Sequence, residues 1–205
     1  MINIFIIGIT GKTGAGKSTI GNYLKSYLEK AVLIDVDSLA KEIYYSNPET
    51  REEIRSCFGE CVFNKDGQVD YGSLGKIVFS SRERLEKLNK IMFCRIENSI
   101  KETVRLHNRK KYVIIDAAIL FNTNIYKICD FIIWVQSSRK RRQEFLRLKS
   151  GLDEEEILQR INGQSVKKIR SRIDFLLENA GSALDVQKKV KEIAEKIKFS
   201  AGLSE

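Results

Sequence analysis

The chain has 205 residues, of which 42% are hydrophobic and 31% charged. That is ordinary globular composition for one domain or a core with appended pieces, and it excludes global disorder. A net charge of +9 suits an anionic partner: a phosphate-rich small molecule, nucleic acid or an anionic surface. The basic residues are dispersed apart from a knot at Arg139–Arg142. No stretch reaches transmembrane length, and the first apolar run lacks the basic flank of a secretory leader, so a cytoplasmic setting is expected. Cys57, Cys61, Cys94 and Cys129 are read as free thiols. Cys57 and Cys61 lie four apart, but neither a second close pair nor a nearby histidine completes a zinc set.

In chain order, the first element is the apolar run INIFIIGIT. It is short and β-branched, which predicts a strand buried on both faces of a parallel sheet. GKTGAGKST follows, and then STIGNYLKSYLEK, with Ile20, Tyr23, Leu24, Tyr27 and Leu28 at helical spacing. AVLID predicts a second strand, YVIIDAAIL a third, DFIIWV a fourth and DFLLEN, at Asp174–Asn179, a weaker fifth. A closing helix is expected over Ala183–Phe199. Strands alternating with helices imply right-handed crossovers and a parallel sheet with helices on both faces.

Two intervals break the alternation. The stretch between AVLID and YVIID is far longer than one crossover and mostly helical in pattern, with a turn at NKDG. It predicts a helical insert over about residues 57–108. The segment SSRKRRQEFLRLKSGLDEEEILQRINGQ, charged on most faces, predicts two short helices. The first stops at Gly151 and the second opens with acidic residues. It is either a mobile lid over about 139–164 or a plain exposed helical hairpin. The core is then 1–56, 109–138 and 165–205.

Gly11, Gly16, Lys17 and Ser18 fit the pattern G-x-x-x-x-G-K-[ST]. A structural turn needs one or two glycines, whereas this one has Gly11, Gly14 and Gly16 within seven residues, together with Lys12 and Lys17. Glycines let the loop curl so that successive N–H groups face a phosphate, and the helix that follows presents its positive end to the same anion. Lys17 would bridge the β- and γ-phosphates of a nucleoside triphosphate. Ser18 would place its hydroxyl on Mg²⁺, a cation that keeps most of its water. Gly11, Gly14, Ala15, Gly16, Lys17, Ser18 and Thr19 form the expected triphosphate site.

IDVD closes the second strand. Asp35 and Asp37 share a face if the strand continues through both, at the end of the sheet where ligands of open α/β folds bind. Asp37 could accept the proton of a hydroxyl attacking the γ-phosphate, or cap the helix predicted from SLAKEIY. Asp116, at the end of VIID, could support the metal or be structural.

On these residues the chain resembles the dephospho-coenzyme A kinases, a family of P-loop kinases. GITGKTGAGKST, LIDVDSLAKEIY, DGQVDYGSLGKIVF and RIDFLLENAGS carry the resemblance almost end to end. It implies a three-layer fold with a five-stranded parallel sheet, a helical CoA-binding insert and a lid. The implied activity is transfer of the γ-phosphate of ATP to the ribose 3′-hydroxyl of dephospho-CoA, with Mg²⁺. The resemblance makes Asp37 the candidate base, with Asp35, Asp70 and Tyr71 on the acceptor side and Asn179 and Gly181 at the adenine end. Basic residues of the 139–149 region, Arg142 and Arg147 among them, would close over the phosphates. The chain departs from the family at Phe93 and Cys94, where His-Pro is usual, and at Tyr71, where arginine is usual. It also has Ala118 and Asn122 in AILFN, and Phe145 and Lys149 at the expected lid arginines. The expected partners are small molecules, with no nucleic acid and no membrane, on a monomer or weak homo-oligomer. The alternatives are another small-molecule P-loop kinase and, from a different class, a GTPase switch or nucleic-acid-binding NTPase. The nearest text to a guanine-reading Asn-Lys-x-Asp is NKDG, whose aspartate comes one residue early.

Overall fold

The computed structural model describes residues 4–107, 111–150, 153–163 and 166–202. The elements in chain order are β1 (Phe5–Gly11), α1 (Lys17–Tyr27), β2 (Ala31–Asp35), α2 (Val36–Ser46), α3 (Pro48–Phe58), α4 (Tyr71–Phe79) and α5 (Arg82–Leu106). They continue with β3 (Tyr112–Asp116), β4 (Phe131–Gln136), α6 (Arg139–Ser150), α7 (Glu154–Gly163), β5 (Phe175–Glu178) and α8 (Ala183–Ser200). The chain divides into two compact units, one made of Met1–Asp35 with Thr103–Glu205 and the other of Val36–Glu102.

In the first unit the strands form one parallel sheet in the order β2-β3-β1-β4-β5. β1 lies at its centre, with Ile9 in register with Asp116 on β3 and with Ile133 on β4. The central strands are nearly all apolar because both of their faces are covered, and every residue of β3 is buried. Ile20 and Leu24 of α1, with Val186, Val190, Ile193 and Ile197 of α8, pack on Ile7, Ile9, Ile114, Ile133 and Val135. The helical spacing of these residues aims one face of each helix at the sheet. Truncating a fully buried member such as Leu24 to alanine costs about 2–5 kcal/mol. Ser182 and Asp185 close a reciprocal capping box at the start of α8.

The strand expected over YVIIDAAIL is shorter than its apolar run, ending at Asp116. Leu120 N–H bonds back to the Ala117 carbonyl, and the chain turns through Leu120–Asn122 with Leu120 and Phe121 buried. The apolar character of this stretch belongs to a turn folded into the core.

The second unit is helical. Asn47 caps α3, accepting from Thr50 N at 2.8 Å, with Pro48 at the first helical position. Asp70 caps α4 in the same way. Between them, Phe63 and Val69 form an antiparallel bridge around Asn64–Gly67. Asn64 Oδ1 accepts from both Asp66 N and Gln68 N, so NKDG is a tight turn whose asparagine serves its own backbone. Arg95 of α5 reaches Glu53 of α3 at 2.6 Å. This unit begins at Val36 and therefore includes α2 and α3, whereas the expected insert began at about residue 57, near the end of α3. The two helices pack on each other, and α3 packs on the turn that precedes Asn64.

Candidate functional site

The loop from Gly11 to Gly16 leaves the central strand and opens α1. Gly14 and Gly16 adopt φ of +75° and +92°, a left-handed conformation that side chains resist. Gly16 is the N-cap of α1 and offers no side chain to the helix, and no acidic residue lies in the first turn. The leading N–H groups of α1 and the positive end of its dipole are thus left for an external anion. Lys17, Ser18 and Thr19 form the first turn. Ala15 is buried and donates its N–H to the Lys12 carbonyl at 3.0 Å.

Two side chains brace this loop from distant parts of the first unit. Asn179, just beyond β5, donates from Nδ2 to the Ala15 carbonyl at 2.8 Å, and its own N–H bonds the Gln136 carbonyl at 2.7 Å. Arg142 of α6 is 6% exposed and donates from Nη1 to the Thr13 carbonyl at 3.4 Å. Its buried Nε has no partner among the described residues. Burial, and then the neighbouring Arg139, pull its pKa below the usual arginine value. A buried cation with so few partners suits a site that receives negative charge.

Beside Asn179 lies a cavity of about 310 Å³, lined by Ser137, Ser138, Arg141, Glu144 and Glu178 among others. Arg141 Nη2 donates to the Gly181 carbonyl at 2.9 Å, tying the start of α6 to the loop before α8. The sequence reading missed these lining residues, because two segments some forty positions apart become neighbours only through the pairing of β4 with β5.

The segment expected to be either a mobile lid or a plain exposed hairpin forms two helices, α6 and α7, which share a small core of Leu146, Ile157 and Ile161. The helix stop expected at Gly151 lies outside the described residues, as does the Lys149 side chain. α7 opens with Glu154, Glu155 and Glu156 and is capped by Asp153, which accepts from Glu156 N at 2.8 Å. Arg147 points Nε and Nη2 at Glu154 Oε2, at 3.1 and 2.6 Å.

Asp116 is buried at the carboxyl end of β3, in register with the exposed Asp35 on β2. The face shared by Asp35 and Asp37 does not form. The strand stops at Asp35 and α2 starts at Val36, so strand alternation ends before Asp37. Asp37 lies within the first turn of α2 and is not its N-cap.

Asp37, Asp70 and Tyr71 belong to the second unit. Asp70 Oδ1 accepts from Ser73 N at 2.7 Å, and that bond chiefly holds its carboxyl below the usual aspartate range. Tyr71 donates its hydroxyl to the Lys41 carbonyl at 3.4 Å and meets the Tyr44 ring edge-on at 5.5 Å.

The chain matches a family model described as CoaE, dephospho-CoA kinase, over residues 5–185. It is 34% identical to a dephospho-CoA kinase of Fusobacterium nucleatum over 96% of this chain and 100% of that one. It is 31% identical to one of Listeria monocytogenes, over 93% and 96%. Among solved structures, TT1252 from Thermus thermophilus superposes with a TM-score of 0.74 at 28% identity, covering 95% of this chain and 98% of that one. A dephospho-CoA kinase from Campylobacter jejuni, at 18% identity and a TM-score of 0.59 over 95% and 97%, shares the fold. The family match runs through both compact units, phosphate loop and helical unit alike, so this chain belongs to the dephospho-CoA kinase family.

Proposed function

We propose that the protein transfers the γ-phosphoryl group of ATP to the ribose 3′-hydroxyl of dephospho-CoA, giving coenzyme A and ADP in the last step of CoA biosynthesis. The observation that carries this reading is the glycine loop opening a helix with no side-chain cap and no acidic residue in its first turn, in a chain matched by the family over residues 5–185. In the transfer, the bond from the γ-phosphorus to its bridging oxygen breaks and a bond to the 3′-oxygen forms. The hydroxyl proton passes to a carboxylate. Asp37 is that base. The loop amides and Lys17 hold the triphosphate and absorb its charge. Asp35, Asp70 and Tyr71 serve the acceptor side, while Asn179 and Gly181 lie at the nucleotide's base end.

Of the lid cations, Arg142 already lies against the loop, and Arg147 becomes available when its pair with Glu154 opens. Closure of the α6–α7 hairpin would exclude the water that otherwise hydrolyses ATP.

The donor set fits Mg²⁺. Ser18 stands in the first turn of α1 and Asp116 at the carboxyl end of the adjacent strand β3, both hard oxygen donors. When bound, the ion neutralises phosphate charge.

Among the described residues no helix is long and apolar enough to cross a membrane. We assign the net charge of +9 to the anionic substrates and read the protein as a cytoplasmic monomer or weak homo-oligomer that binds neither nucleic acid nor membrane. A coupled ADP-release assay across acceptors tests the reading. Dephospho-CoA should stimulate ADP formation where nucleosides, shikimate and gluconate do not, and no stimulation would refute it.

A further inference from the structure

The geometry points to Asn179 and Arg142 as positioning residues that set the direction of two phosphate-binding amides, those of Gly16 and Gly14. A trans peptide is planar, and its C=O and the following N–H point to opposite sides. Asn179 holds the Ala15 carbonyl, and therefore aims the N–H of Gly16; Arg142 holds the Thr13 carbonyl, and therefore aims the N–H of Gly14. The amide between these two has a different task, because Ala15 N–H bonds the Lys12 carbonyl inside the loop. Neither glycine N–H has an acceptor among the described residues.

Glycine peptides rotate with little penalty, so a loop of this composition needs an outside restraint to keep its donors converged. The two glycines also provide the clearance. A Cβ on Gly14 would stand 2.7 Å from the Arg142 carbonyl, and one on Gly16 would collide with Nδ2 of Asn179. Each brace sits against the glycine whose amide it aims.

This assignment rests on the triphosphate reading of the loop and changes the role of Asn179. Its side-chain donor is directed at the loop backbone, so its effect should appear on the phosphates and leave the base unaffected. The test uses the full-length protein and two uncharged variants, Asn179→Leu, similar in branched shape, and Asn179→Ala, the pair guarding against one that does not fold. Inorganic tripolyphosphate is titrated by calorimetry and adenosine by NMR, with melting curves as the folding control. The variants should bind tripolyphosphate about tenfold more weakly, the equivalent of one lost hydrogen bond, and adenosine as the wild type does. Unchanged tripolyphosphate affinity with weakened adenosine binding would make Asn179 a base contact and overturn the inference. A wild-type protein that bound neither tripolyphosphate nor ATP would instead overturn the triphosphate reading itself.

Discussion

A Cβ placed on Gly16 would lie well inside van der Waals contact distance of Nδ2 of Asn179, a residue 163 positions further along the chain. The conformation at Gly16 is also left-handed, with φ of +92°. Gly16→Ala therefore meets a steric and a torsional penalty together. Strain of this kind costs about 1–3 kcal/mol. Urea denaturation should show that loss, and ATP titration should show affinity reduced at least about tenfold.

Lys17 opens α1 at the end where the first N–H groups are uncommitted. Lys17→Ala should lower kcat by about 10²–10³, the effect of removing one preorganised partner of transition-state charge. Steady-state kinetics by ADP release, with an unchanged circular dichroism spectrum, checks this.

Asp37→Asn keeps the shape of the side chain and removes its capacity to take a proton. Loss of a general base lowers turnover by about 10²–10⁴. Near-normal activity in the purified variant would dismiss Asp37 as the base.

Cys129 is buried, and that burial, reinforced by Asp130, pushes its thiol up to about 12. Cys57, Cys61 and Cys94 are exposed. A thiol reagent at pH 8 should label those three in the native protein and reach Cys129 only after unfolding. The raised folded pKa also sets a sign. Below the ordinary thiol value both states hold the proton and the contribution is fully present. Between about pH 9 and 12 the unfolded chain releases it first, so this contribution is lost as pH rises. Cys129→Ser should flatten that part of a stability–pH curve.

Asp70 caps α4 and Asp185 completes the capping box of α8, with carboxyls held below the ordinary range by the Ser73 backbone and by the Ser182 side chain respectively. A depressed folded pKa gives stability present above the ordinary carboxylate range and lost as pH falls through the folded value. Melting temperatures from pH 6 down to 2 should fall less steeply for Asp185→Asn than for the wild type.

The sequence by itself determined the five strands, the glycine loop at the end of the first, and the helical interval after the second. Each of these is a local pattern: β-branched apolar runs, positive-φ glycines and helical spacing act over a few residues. It also carried the family, through segments spread along most of the chain. Its errors were local too. Ala117–Leu120 is apolar but turns into the core, and Val36 begins a helix where IDVD continued the look of a strand. Only the tertiary structure decided what stands behind the phosphate loop. Asn179 reaches Ala15 because β5 pairs with β4, which pairs with β1. Arg142 reaches Thr13 because only two residues separate β4 from the start of α6. Strand order joins residues more than a hundred positions apart, and no periodicity in one stretch of chain encodes the order in which another stretch will pair.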